Sequence, residues 1–348
     1  MMFCQLGRAH SLREICGGLA TCEGKLKHLG LKEAPKRSTL AYANEHRPWE
    51  VYEDLFWTLE KRCRNEDPKR GHGFRFRNKL LSMDATTVSL CVTMFDWAHF
   101  QRAKGAVKLH LVLDHDGYLP RYAVITTGKK HEITVARQMT FEPGTILVFD
   151  QGYTDEAWWK RLSKDKVYFV SRLRADLKYE VLGEREIPAS LSGKILRDED
   201  ILLPGWRQVG KEGLRGLRRI EVWIEEKQEV MVLITNHPRL AASTIAEVYR
   251  KRWEIETFFK SLKQLLKIKT FVGTSEHAVR TQIWTALIVM LLLRWLKIKA
   301  RYGWSLSNLV ALLRQQLFVH RDLWAWLNDP FQSPPGYAEF EQLPLLPV

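Results

Sequence analysis

The sequence predicts an α/β protein: a mixed sheet with flanking helices, interrupted by a mostly β insertion and preceded by an N-terminal helical domain. Three observations carry this expectation. Residues 1 to about 75 hold helix starts and helical apolar spacing. From Lys79, β-prone runs alternate with short helical ones in the order β-β-β-α-β-α-β. From about 173 to 235 the pattern shifts to short strands with charged turns, and a long helical segment follows near Ala242. The expected divisions are 1–75, 76–172, 173–240, 241–300 and 301–348.

Each element has its own signal. Ser11-Leu12-Arg13-Glu14 has the form of a capping box, with Ser11 as N-cap. A second helix start lies at Ser38-Thr39-Leu40-Ala41. Pro48 suits the first turn of a third helix, whose apolar residues are Val51, Leu55, Phe56 and Leu59. Lys61 to Gly73 is basic and turn-rich and ends it. Leu80–Val88 is β-prone, Val107–Leu113 alternates around Lys108 and His110, and Tyr122–Thr126 returns after the turn Asp114-His115-Asp116-Gly117. These three form an expected antiparallel meander. His131–Met139 is a short helix candidate. Thr145–Asp150 is a near-continuous apolar run ending in an acid, the look of a buried parallel strand. Glu156–Leu162 is helical and Val167–Val170 is a strand. In the insertion the strands are Tyr179–Leu182, Ile220–Ile224 and Val230–Ile234. One long helix is expected from about Ala242 to Leu266 and another from about Glu276 to Lys299, with an irregular tail opened by Pro334 and Pro335.

Composition narrows the function. The 348 residues are 45% hydrophobic and 27% charged, which excludes disorder as the main state. Lys and Arg outnumber Asp and Glu by 54 to 40, and a net charge of +14 points to a polyanionic partner. Thirteen Trp need a real core or stacking partners. Cys4, Cys16, Cys22, Cys63 and Cys91 are odd in number, and no pair is spaced C-x-x-C. This disfavours a disulfide framework or a zinc ribbon and suits reduced thiols in a cytoplasmic protein. No basic n-region precedes an apolar stretch at the N-terminus. The longest apolar run, Ala286 to Leu293, is bracketed by Arg280 and Arg294 and falls short of a membrane span, so it reads as a buried core helix.

The candidate chemistry lies in carboxylates. Asp84 is mid-strand and Asp150 closes an apolar strand, where open α/β sheets bind ligands. On the long helix, Tyr249, Arg252, Glu256 and Lys263 are spaced Y-x2-R-x3-E-x6-K and fall within about a 60° arc. The adjacent arc, Ile255, Phe259, Leu262 and Leu266, makes a core stripe. Taken singly, each Asp reads as a turn or cap residue and Arg252–Glu256 as an i,i+4 ion pair. Taken together, they fit metal-assisted phosphoryl chemistry, with three carboxylates for two magnesium ions and Tyr249, Arg252 and Lys263 for the phosphodiester. Residues 249–303 carry 12 Lys and Arg against three Asp and Glu, a basic flank that lets phosphates approach the acids.

The ordered set Asp84 in SMDATT, Asp150 in VFDQGY and Tyr249–Arg252–Glu256–Lys263 in YRKRWEIETFFKSLK resembles the DDE transposases of bacterial insertion sequences. The resemblance implies an RNase H-like core in which Asp84, Asp150 and Glu256 hold two Mg2+ ions, or Mn2+ in their place. The 105 residues between Asp150 and Glu256 leave room for the family's β insertion. It also implies strand cleavage at the element's ends and joining to target DNA. Tyr249, Arg252, Lys260 and Lys263 would bind DNA, and residues 1–75 would help to recognise the terminal inverted repeats. The expected assembly is a homodimer on paired ends. Relatives pass through a DNA hairpin in which a Trp of the insertion stacks on a flipped base; Trp206 and Trp223 are the candidates here. His131 in GKKHEI falls where the family often has a His, and Gln151 departs from the basic residue common after the second Asp. Family members usually carry further residues ahead of a segment like LGRAHSLREI. Two rivals remain: an RNase H-like nuclease without strand transfer, and an inactive remnant that still binds DNA.

Overall fold

The computed structural model describes residues 1–22, 24–66, 71–91, 95–101, 104–206, 216–265 and 271–331. Four helices open the chain: α1 (Met2–Gly7), α2 (Leu12–Ala20), α3 (Arg37–His46) and α4 (Glu50–Glu66). Then come β1 (Leu80–Leu90), β2 (His99–Gln101), β3 (Lys104–Asp114), β4 (Pro120–Thr127), α5 (Glu132–Ala136), β5 (Ile146–Val148), α6 (Glu156–Lys164) and β6 (Tyr168–Arg172). The insertion supplies β7 (Glu180–Glu184), β8 (Ile195–Leu202), β9 (Leu217–Ile224) and β10 (Glu229–Thr235). The chain continues with α7 (Ala242–Lys251), α8 (Trp253–Leu265), α9 (Glu276–Lys299), α10 (Leu306–Gln315) and α11 (Leu323–Asn328).

All ten strands join one mixed sheet in the order β2-β3-β1-β5-β6-β10-β9-β8-β7, with β4 beside β3. The β1–β3–β4 meander is antiparallel, and β1, β5 and β6 run parallel. The insertion does not make a sheet of its own. β10 pairs antiparallel with β6, Ile234 opposite Ser171, so β7–β10 extend the central sheet. β8 carries no strand signal in the sequence, where Arg197-Asp198-Glu199-Asp200 looks like a charged turn. Its acids are instead neutralised from the neighbouring strand: Asp198 pairs with Arg218 at 2.5 Å and Glu199 with Arg219 at 2.6 Å.

Strand period two sorts the core. Leu81 and Met83 pack with α5 and α6, whereas Leu80 packs with α7, and Val88 and Leu90 with α8 and α9. Ser82 and Asp84 share the parity of Leu80 and therefore lie on the α7–α9 face.

The helices depart from expectation in several places. The Ser11 cap forms, its Oγ accepting from Glu14 N at 3.1 Å, but the Glu14 carboxylate reaches one residue further back, to His10 N. α3 begins at Arg37 with Lys36 as its N-cap, ahead of Ser38. α4 starts two residues beyond Pro48, and its buried face is Phe56, Glu60 and Cys63, while Val51 and Leu55 are exposed. The single helix expected from Ala242 to Leu266 is two. Arg252 N bonds Tyr249 O and Ile255 N bonds Arg252 O, tight i to i−3 bonds that break α7 from α8. Leu266, Pro334 and Pro335 lie outside the described residues.

α9 is long and apolar enough to cross a bilayer by length and composition. Here it is the helix around which the rest packs: α1, α3, α4, α8 and α10 all lie against it. Gln5 Nε2 donates to Gln282 O at 3.2 Å, and the Phe56 and Trp284 rings lie 5.5 Å apart. The N-terminal helices are thus built onto α9.

Candidate active site

The parallel register sets the first two carboxylates side by side. Ser82 pairs with Val148, which brings Asp84 level with Asp150 two residues further along each chain. β5 ends at Val148, and Asp150 opens the short helical turn Gln151–Tyr153, its Oδ1 accepting from Gly152 N at 2.9 Å. Asp84 Oδ1 accepts from Ala85 N at 2.8 Å. Burial is the main cause that pushes the Asp84 carboxyl up to about 7. The Ala85 N–H and the Arg252 charge oppose the shift, and the negative Asp150 and Glu132 add to it.

Arg252, at the break between α7 and α8, ties the helix to the sheet. Its Nη2 bonds Glu256 Oε1 at 2.6 Å and its Nη1 lies 3.6 Å from Asp84 Oδ2. One guanidinium therefore stands between the first and third acids. The same guanidinium lies over the buried Tyr249 ring, 5.6 Å from its centroid. Lys263 Nζ donates to Thr87 O on β1 at 3.0 Å, and Lys260 is exposed.

A fourth acid, Glu132, belongs to this neighbourhood. A Cβ built on Gly152 would lie 3.0 Å from Asp150 Oδ1 and 3.5 Å from Glu132 Oε2, so both carboxylates flank one point. Glu132 Oε1 also accepts from Lys108 Nζ at 3.1 Å. Its only sequence signal was its place after His131, which is itself exposed and caps α5 through its backbone alone. Among the described residues the buried Tyr153 hydroxyl meets no hydrogen-bond partner, and burial, Glu132, Asp84 and Asp150 all push its pKa up.

Trp206 and Trp223 part company. Trp206 is 1% exposed and packs in the core with Trp158 and Trp159, which removes it as a stacking surface. Trp223 lines a pocket of about 650 Å³ between the β9–β10 hairpin and the α7–α8 break. Tyr249, Arg252, Arg172 and Lys194 share that wall. So does Trp253, half exposed and beside Arg252 in the signature segment, a stacking candidate that spacing alone does not mark.

Among the described residues, no group of three or more His, Cys, Asp or Glu side chains is gathered closely enough to hold a metal ion as it stands. The donor chemistry nevertheless fits a hard divalent cation. The ligand atoms on offer are carboxylate oxygens, and a cationic group already sits between two of the acids.

Parallel strands thus bring two acids level, and a helix facing the sheet adds a third acid joined to the first through one guanidinium. Residues 75–292 match the family model described as Transposase DDE domain, and the chain belongs to that family: it is a DNA transposase of the bacterial insertion-sequence kind. Residues 1–32 match a domain of unknown function (DUF4372). A Sinorhizobium fredii protein bearing the transposase name y4zB is 29% identical over 323 residues, 92% of this chain and 88% of its own. A Geobacillus stearothermophilus protein named for transposition of insertion sequence element IS5377 is 29% identical over 261 residues, 74% of this chain and 67% of its own. The solved piggyBac transposase synaptic complex with hairpin DNA aligns over 74% of this chain and 59% of that one, at 11% identity and a TM-score of 0.39, a likeness too slight to define a fold.

Proposed function

We propose that Asp84, Asp150 and Glu256 are the catalytic carboxylates and would hold two divalent ions, Mg2+ or in its place Mn2+. The observation that carries this reading is the Arg252 guanidinium between Asp84 and Glu256, beside the Asp84–Asp150 register. The meander followed by two strands parallel to β1 supports an RNase H-like core made of residues 76–172 and 241–300, with 173–240 as its insertion. When bound, the ions would activate the attacking oxygen and offset charge on the phosphate.

The chain's own residues do the rest. Asp84 and Asp150 hold the reacting centre in the middle of the sheet, where β5 ends beside β1, and Glu256 closes it from α8. Arg252, Lys260 and Lys263 meet phosphate oxygens of double-stranded DNA without reading bases, and Tyr249 supports Arg252 from beneath. The pocket beside Trp223 is sized to take a base turned out of the helix, with the indole as its stacking face. Residues 1–75 contribute to recognition of the terminal inverted repeats from their seat on α9. A homodimer pairs two ends and delivers them to target DNA in the cytoplasm.

The test is cleavage and joining of duplexes that carry the element's ends, in Mg2+, with strands resolved by size. Asp84→Ala, Asp150→Ala and Glu256→Ala should each abolish cleavage and leave end binding nearly intact. A variant that cuts at close to the parent rate removes its residue from the set.

A further inference from the structure

Two residues before Asp84, and on the same face of β1, Ser82 is fully buried. Its Oγ lies 2.6 Å from Nε2 of His115, which is 1% exposed, and His115 Nδ1 lies 2.9 Å from Glu254 Oε2. A carboxylate only accepts, so Nδ1 carries a proton and donates it to Glu254, while Nε2 and the Ser82 hydroxyl share the second bond. Ser, His and Glu in this order are the parts of a nucleophilic triad. Burial rules that role out, because no substrate can reach the Ser82 oxygen.

The chain ends on the helix that carries Glu256. Ile255 is fully buried against the core, and at about 100° per residue Glu254 and Glu256 project to either side of it. Both flanks of α8 are tied to β1, one through Glu256, Arg252 and Asp84, the other through Glu254, His115 and Ser82. Each tie is anchored beyond itself. His115 N donates to Leu80 O of β1 at 3.0 Å, and Tyr118 OH and Lys251 Nζ both reach Glu254 Oε1 at 3.0 Å. The turn that bears His115 and Tyr118 is held from α9 by Arg294, whose Nη1 donates to Tyr118 O at 2.9 Å.

We propose that Ser82, His115 and Glu254 form a buried strut that blocks rotation of α8 about its axis and so sets where Glu256 stands relative to Asp84. The break at Arg252 is what creates the need. There the i to i−4 ladder gives way to i to i−3 bonds of poorer geometry, which hold the roll of α8 less firmly than an unbroken helix would, and a carboxylate about 6 Å from the helix axis moves about 1 Å for every 10° of roll. An error of 1 Å in a reacting group can cost about 100-fold in rate. The three residues are positioning residues: none of them touches DNA or metal in this account. The strut rests on Asp84 and Glu256 being the working carboxylates.

The experiment measures Mn2+ affinity of the full chain by electron paramagnetic resonance, beside melting without metal and cleavage as a function of Mg2+. Ser82→Ala removes one oxygen, and Glu254→Ala removes the anchor. Both should weaken Mn2+ binding by about tenfold or more, as loss of a partner that orients a metal ligand does. The half-saturating Mg2+ concentration should rise with it. Glu254→Gln still accepts from Nδ1 and should restore affinity to within about threefold of the parent. Altered melting with unchanged metal affinity in Ser82→Ala and Glu254→Ala would make the chain of bonds ordinary core packing and overturn the strut. Unchanged Mn2+ affinity in Asp84→Ala and Glu256→Ala would overturn the carboxylate assignment instead.

Discussion

Replacing Asp84 by Asn tests the electrostatics of the site in the metal-free protein. Asn keeps the shape and the oxygen that accepts from Ala85 N, and Arg252 keeps its 2.6 Å bond to Glu256. What disappears is a buried carboxyl held at about 7 in the fold, against an ordinary value of 3.8. Below pH 3.8 the acid is protonated whether the chain is folded or not, and the shift has no effect on stability. As pH rises the unfolded chain ionises first, so folding loses free energy until the folded carboxyl ionises near 7. At about 1.36 kcal/mol per pK unit the penalty reaches about 2 kcal/mol at pH 5 and about 4 kcal/mol above pH 7. Asp84→Asn should therefore match the parent in urea denaturation near pH 3.5, and exceed it by up to about 4 kcal/mol at pH 8. Added Mg2+ should stabilise the parent at pH 8 by binding only its folded form, and should do much less for the variant. A gain that is the same at every pH, or a loss at pH 8, would refute the reasoning and make Asp84 a structural acceptor.

Arg252→Ala should weaken DNA binding about equally for end and unrelated sequences and flatten its salt dependence, as read by filter binding over a salt series. Trp206→Ala should cost about 3–5 kcal/mol in urea denaturation because it opens a large cavity. Trp223→Ala should cost less than about 1 kcal/mol yet change the distribution of cleavage products. Arg218→Ala strands the buried Asp198 carboxylate and should cost about 3–5 kcal/mol by the same measurement. Deleting residues 1–66 should not release a folded core, because Trp284 and the Gln282 carbonyl would lose their cover. Circular dichroism melting of the truncated chain checks this.

Legibility followed the range of the interactions. The meander, the buried parallel strand just ahead of Asp150 and the helical character of 242–265 and 276–299 were readable because period and turn chemistry are local, whereas the break at Arg252 was not. The level placement of Asp84 and Asp150 depends on the β1–β5 register, which a short apolar strand does not encode by itself. β8 was hidden because its charges look like a solvated turn until the facing arginines of β9 are known. Glu132 gave almost no signal, since its meaning comes from a fold that carries α5 onto the turn after Asp150. Exposure divided the two tryptophans, and exposure is a property of tertiary packing.

The alternation along β1 makes this strand unforgiving of changes in length. Leu80, Ser82 and Asp84 face one way, and Leu81 and Met83 the other. Loss of a single residue ahead of Asp84 would turn its carboxylate toward the tryptophans under α6 and Ser82 away from His115. One deletion event would thus erase the acid and its support together. The connection between β7 and β8 lies at the far end of the sheet from β1, and residues added there need not shift that parity. Copies of this element that decay by small in-frame deletions should therefore fail abruptly when the change falls in β1, whereas changes of loop length can accumulate in chains that still work.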